Sequence, residues 1–327
     1  MINTTATVAT TRIGGRHAAT TTTLPAPPLV AHADWSIDLG KRWIAIATRR
    51  SDGWRVESPE PFGDVRARLD GLDRAGPFLL GIDCPLGVPR VWAERARITS
   101  FPGLIRQLRT GAWPELLTPA AVPAEIGIGR PFYPARPGGT SQRQLLDGLG
   151  VASLAELRRR CDRPTAVRRA ACPMFWTMGA QQCGKGAIAA WRELVLPDPD
   201  RLALWPFAGP LARLLTGPLP VLAETYPAES HRQLGLRLRS KRSATDRALQ
   251  APLLRAAAAS LRAELAPALA RDIDRGFGDR ADGEDRFDAL CGLLGMLRVL
   301  AGDAPADPPA GDPALLTVEG WMLGLAG

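Results

Sequence analysis

The stretch Phe78-Leu79-Leu80-Gly81-Ile82-Asp83-Cys84-Pro85-Leu86-Gly87 is an apolar run that ends on one carboxylate and is stopped at once by a proline. Short apolar runs bounded by turn residues read as buried strands. A carboxylate at the exit of such a strand is costly unless it is paired, protonated or bound to a cation. Taken alone, Asp83 is better explained as a capping or loop-bracing residue. The case for chemistry comes from other acids that share its position.

Leu29-Val30-Ala31-His32-Ala33-Asp34 repeats the pattern upstream, and Leu219-Pro220-Val221-Leu222-Ala223-Glu224-Thr225-Tyr226-Pro227 repeats it downstream. Asp34, Asp83 and Glu224 thus each stand at the C-terminal end of an expected strand, where open α/β sheets place their ligand crevice. Asp288 lies on a late helical stretch, with Glu284 and Asp285 one turn before it on the same face. Converging carboxylates repel and raise one another's pKa values. Hard divalent cations relieve this, and Mg²⁺ or Mn²⁺ keep waters for a phosphate substrate. Two such ions can support phosphodiester hydrolysis. Glu284 and Asp285 read equally well as solvated charges at a helix start.

Between these acids the pattern is mixed. Trp43 to Thr48 and Trp54 to Ser58 predict two more strands, and short turns make the first three strands antiparallel. Phe62 to Ala75 predict a helix on Val65, Leu69 and Leu72. Residues 244–272 predict one long Ala/Leu/Arg helix, and Gly283 to Val299 another. Residues 85–218 are rich in proline and glycine between short helical stretches such as Leu104–Arg109, Leu154–Cys161 and Ala187–Leu194. They read as an insertion covering one end of the sheet. Residues 1–27 lack periodicity and read as a disordered tail. The expected organisation is a tail (1–27), an α/β core with a mixed sheet (28–84 and 219–327) and the insertion (85–218).

Composition sets wide bounds. The 327 residues include 46% hydrophobic and 23% charged positions, enough for a sizeable core. Basic residues outnumber acidic ones by 41 to 33, a formal charge of +8, but no long basic run exists. The excess favours polyanionic partners only weakly. Five scattered cysteines without a CxxC pair argue against a zinc site or a disulfide framework, and a reducing cytoplasm is the expected compartment. No apolar run approaches the roughly 20 residues of a membrane span.

The motifs Ala33-Asp34-Trp35-Ser36, Gly81-Ile82-Asp83-Cys84-Pro85-Leu86-Gly87, Glu224-Thr225-Tyr226-Pro227-Ala228, Asp285-Arg286-Phe287-Asp288-Ala289-Leu290 and Glu319-Gly320-Trp321 together resemble domain-of-unknown-function family 429. Its members are predicted nucleases of the RNase-H-like superfamily. The resemblance runs from about residue 29 to 323 and is sparse through the insertion. It implies a mixed five-stranded sheet with flanking helices and acidic metal ligands at Asp34, Asp83 and Asp288, with Glu224 on the fifth strand. It also implies a divalent metal, Mg²⁺ or Mn²⁺, and a nucleic acid or nucleotide phosphate partner. The chain departs from the family in one respect. A His-Glu pair is expected shortly before the late Asp-Ala, and Glu284-Asp285 stand there instead.

Cationic side chains for a phosphate are sought at Lys241, Arg242 and Arg247, and at Lys185 before the Ala187–Leu194 helix. Gly179 to Lys185 fits the first seven positions of a P-loop, but Gly186 replaces the hydroxyl residue that should hold magnesium. Ser230 and His231 are adjacent in the chain and poorly placed to oppose each other as nucleophile and base. His32 reads as a core histidine. Trp35, Trp43, Trp176, Trp205 and Trp321 could stack bases but read as packed rings. Three functions stay open: a metal-dependent nuclease, a nucleotide-phosphate-binding ATPase or phosphotransferase on the related actin-like core, and a binding module whose acids brace loops.

Overall fold

A computed structural model describes residues 23–178 and 183–327. The expected tail over residues 1–22, and positions 179–182 of the P-loop-like stretch, lie outside them. The Leu24 amide donates to the Leu300 carbonyl at 3.0 Å, so the docked chain starts before Pro28.

Among the described residues the strands are β1 (Leu29–Asp34), β2 (Trp43–Arg50), β3 (Gly53–Val56), β4 (Glu60–Pro61), β5 (Phe78–Ile82), β6 (Ala203–Leu204), β7 (Val221–Glu224) and β8 (Ala263–Leu265). They form one mixed sheet in the order β6-β7-β5-β1-β2-β3-β8, with β4 also on β2. β1, β2 and β3 are antiparallel, as their short connections require. β5, β7 and β6 continue parallel from β1. The five expected strands are present, and three short ones extend the sheet to eight. β6 comes from the insertion, which therefore adds to the sheet as well as covering it.

The helices before β7 are α1 (Val65–Arg74), α2 (Arg90–Arg95), α3 (Phe101–Arg109), α4 (Gln142–Leu149), α5 (Cys183–Ala190) and α6 (Leu211–Leu214). Those after it are α7 (Pro227–Gln233), α8 (Ala244–Ala248), α9 (Ala251–Ser260), α10 (Pro267–Asp274) and α11 (Gly283–Ala301). The single helix expected over residues 244–272 is broken into α8, α9, β8 and α10. Pro252 and Pro267 open new helices, where a missing amide costs nothing. The segment between them straightens to pair with β3. The helix expected over Leu154–Cys161 is a series of turns ending in a short 3₁₀ turn, Arg160–Asp162.

Two apolar layers sandwich the sheet. One unites Ala31, Ala33, Leu80, Ile82 and Leu222 with insertion residues such as Trp92, Phe101, Phe132 and Trp191. The other unites Val30, Leu79, Val221 and Ala223 with α11 residues such as Phe287, Leu290 and Leu294. Side chains alternate faces along a strand, so every residue at a strand end is committed to one layer or the other.

α11 presses close on β1. A Cβ added at Gly292 would meet the His32 ring at 2.2 Å, which only glycine allows. Two expected motifs also meet without room for a side chain. A Cβ at Gly87 would lie 2.1 Å from the Glu319 carbonyl oxygen, and Gly87 has φ +130°, a conformation open to glycine.

Candidate functional site

The site follows from register. β1 pairs with β5 so that Ala33 faces Ile82, which sets Asp34 beside Asp83. Both side chains therefore leave the sheet on the α11 side. Their carboxyls hydrogen-bond each other. The Trp35 amide donates to Asp83 Oδ1 at 2.5 Å and holds the pair together. Trp35 is itself fixed, its ring capped by the Arg42 guanidinium 4.0 Å from the centroid and packed edge-on against Phe62.

Asp288 reaches the same place from α11. It is buried, and it accepts from Lys241 Nζ at 2.6 Å, with His231 Nε2 3.0 Å from its other oxygen. Lys241 also pairs with Glu284 at 2.9 Å, and exposed Arg242 comes within 3.8 Å of Glu284. Glu284 and Asp285, which could have been solvated charges, belong to this cluster.

The electrostatics divide the acids. Burial pushes Asp34 well above the usual carboxylate range, and the nearby Asp83, Asp288 and Asp285 charges push it further. Burial raises Asp83 to about 7 despite the Trp35 amide and the Asp34 hydrogen bond. Asp285 is raised to about 6 by burial and by Glu284, with Lys41 pulling the other way. Burial would also raise Asp288, but the His231 ring beside it and the Lys241 charge outweigh that and hold it low. Asp34 and Asp83 thus favour holding a proton between them, while Asp288 is held as an anion by the Lys241 ammonium.

Glu224 is not part of this group. β7 pairs with β5 so that Glu224 faces Ile82, and its side chain leaves on the opposite face, towards the insertion. There the buried Arg159 guanidinium grips it through two hydrogen bonds of 2.6 Å, and the Leu86 amide donates to it at 2.8 Å. Arg159 also binds both oxygens of Asp162 at 3.0 Å. Burial pushes Glu224 up, and Arg159 offsets only part of that. The residue level with Asp83 is Thr225. It shares the Asp34 face and makes a 2.9 Å contact from Oγ1 to His32 Nε2.

The phosphate-contact candidates separate in the same way. Lys241 and Arg242 stand at the carboxylates. Arg247 is buried, and its guanidinium donates to the backbone carbonyls of Gly276, Gly278 and Lys241, so it braces a loop. Lys185 sits half-buried on α5, which packs against Cys84. Ser230 packs against Gly295 while its neighbour His231 turns to Asp288, so no nucleophile–base pair forms. His32 is a buried core histidine, held neutral because burial lowers it to about 4. Trp35, Trp205 and Trp321 are buried, and Trp43 and Trp176 are half-buried.

Sequence reading gave no role to Thr225, Lys41 or Arg159, and it weighed His231 only as a base for Ser230. The strand parity of Thr225 was a usable signal once the β5–β7 register is known. The others carry no local mark, because their roles depend on contacts across long stretches of chain.

Two places could hold a cation. Among the described residues, one set of three His, Cys, Asp or Glu side chains offers ligand atoms within 4.8 Å of one another: Cys161, Asp162 and Glu224. The Arg159 guanidinium already pairs with both carboxylates of that set. The Asp34–Asp83–Asp288 group is more open, because Asp288 is drawn towards Lys241 and His231. Its donors are all hard carboxylate oxygens, as Mg²⁺ and Mn²⁺ prefer. The proton that Asp34 and Asp83 retain marks where a cation would be favoured in its stead. No family model, curated protein or solved structure matches this chain.

Proposed function

We propose that the chain is a metal-dependent phosphodiesterase of RNase-H-like fold, with nucleic acid as its substrate class. The observation that carries the reading is the register that sets Asp34 beside Asp83 on neighbouring parallel strands, with Asp288 reaching the same face from α11. The strand order β3-β2-β1-β5-β7, antiparallel through its first three members, supports it. Asp34 ends β1, Asp83 follows β5 and Asp288 lies on α11, and the sequence resemblance implies metal ligands at these same three residues.

Asp34, Asp83 and Asp288 would hold Mg²⁺ or Mn²⁺. The chemistry supplied by such an ion is an acidified water and charge neutralisation on a phosphate oxygen. The chain's own residues do the rest. The Trp35 amide orients Asp83. Lys241 and His231 keep Asp288 ionised. Lys241, Arg242 and Lys41 give the acidic centre a cationic margin that admits a polyanion. Glu224 takes the bracing role.

The test is an assay of the purified protein on single-stranded, duplex and RNA–DNA hybrid substrates with Mg²⁺ or Mn²⁺. Metal-dependent cleavage that Asp83→Asn abolishes, in a variant with an unchanged circular dichroism spectrum, is the expected result. Equal cleavage by Asp83→Asn and the parent would end the reading.

A further inference from the structure

Cys172 and Cys183 are separated in sequence by a stretch that gives no hint of pairing, yet the fold brings them together. Cys183, the first residue of α5, has its sulfur 3.2 Å from the Cys172 carbonyl oxygen. The Cys183 thiol donates to that carbonyl, and the two side chains lie close enough to shift each other's acidity. Both line a small cavity of about 50 Å³ whose wall also includes Asp83, Cys84 and Tyr226. Both are partly accessible, whereas Cys84, Cys161 and Cys291 are buried.

The pair is asymmetric. The neighbouring Cys183 side chain makes the Cys172 thiol more acidic against the opposing effect of burial, and the Arg158 charge helps. Arg158 is anchored nearby through the Ala171 carbonyl at 3.1 Å. Cys183 is shifted the other way, by its contact with Cys172 and by burial. One thiol is thus the better nucleophile and the other the natural resolving partner.

We propose that Cys172 and Cys183 form a redox-active dithiol that peroxide oxidises to an intramolecular disulfide in the wall of the cavity beside Asp83. In the first step the Cys172 thiolate attacks a peroxide oxygen. The O–O bond breaks, a sulfenic acid forms and hydroxide leaves. Cys183, after losing its proton, then attacks the Cys172 sulfur. The S–S bond forms and the sulfenic hydroxyl departs as water. Two thiols and one hydrogen peroxide become one disulfide and two waters, with sulfur oxidised and peroxide oxygen reduced.

The experiment treats the full-length protein with hydrogen peroxide in native buffer. It then blocks thiols with N-ethylmaleimide in denaturant and reads intact mass and a peptide map. The reduced protein takes up label at all five cysteines. The expected oxidised product takes up two labels fewer, and its map links Cys172 to Cys183. Cys183→Ser is expected to accumulate a sulfenic acid at Cys172, trapped by dimedone, and Cys172→Ser to keep every remaining thiol. Full labelling after peroxide, a bridge between other cysteines, or a link between two chains would overturn the proposal.

Discussion

Asp83 accepts the Trp35 amide at 2.5 Å, and that bond holds its carboxyl against Asp34. Without a cation the two cannot both ionise cheaply. Asp83 has a folded pKa of about 7, well above its unfolded value near 3.8, and Asp34 is raised as well. The folded state therefore binds more protons between those values. The resulting stability is complete below the unfolded pKa and is lost as pH rises through about 7. In EDTA, the melting temperature is expected to fall between pH 6 and pH 8. Asp83→Asn should flatten that fall and melt about 2–6 °C higher at pH 8. Differential scanning fluorimetry across pH checks this.

Cation binding should replace the retained proton. At pH 7.5, Mn²⁺ at ten times its dissociation constant is expected to stabilise the protein by about 1.4 kcal/mol. Asp34→Asn and Asp83→Asn should each lose most of that increment. Isothermal titration and thermal shift with Mn²⁺ read the effect without any substrate.

Glu224 is expected to matter for folding alone. Glu224→Gln leaves the buried Arg159 guanidinium with Asp162 as its one remaining carboxylate partner. Breaking a buried pair from one side costs about 3–5 kcal/mol. Urea unfolding should show that loss, and the pH dependence set by Asp34 and Asp83 should stay as in the parent.

Gly292→Ala drives a methyl to within 2.2 Å of the His32 ring, so α11 or the ring must shift. A cost of about 1–3 kcal/mol is expected. His32→Ala empties the space that methyl needs, so the double variant should be more stable than the sum of the single losses. A double-mutant cycle in urea measures the coupling.

The strands were legible because each is a short apolar run closed by a turn residue, and Asp34, Asp83 and Asp288 could be grouped because strand ends and a helix face are local patterns. Glu224 looked identical to Asp83 in sequence. What separates them is a register in which Glu224 faces Ile82, one residue out of phase, and register is a property of two strands. Arg159 left no trace, since a buried arginine and a surface one share the same local context. The single helix read across residues 244–272 failed because Pro252 and Pro267 weighed less in the pattern than the run of alanines and leucines. β6, two residues long, is below what periodicity can detect.

Arg159 belongs to the segment between β5 and β7, whereas Glu224 belongs to the sheet. A shortened version of this protein, trimmed to its strands and late helices, would strand a carboxylate under the sheet with no counter-charge. Any lineage or engineer shrinking the chain must therefore remove Glu224 and Arg159 together, or supply a new cation from elsewhere. The long excursion after β5 is thus tied to the rest of the chain as one unit of inheritance.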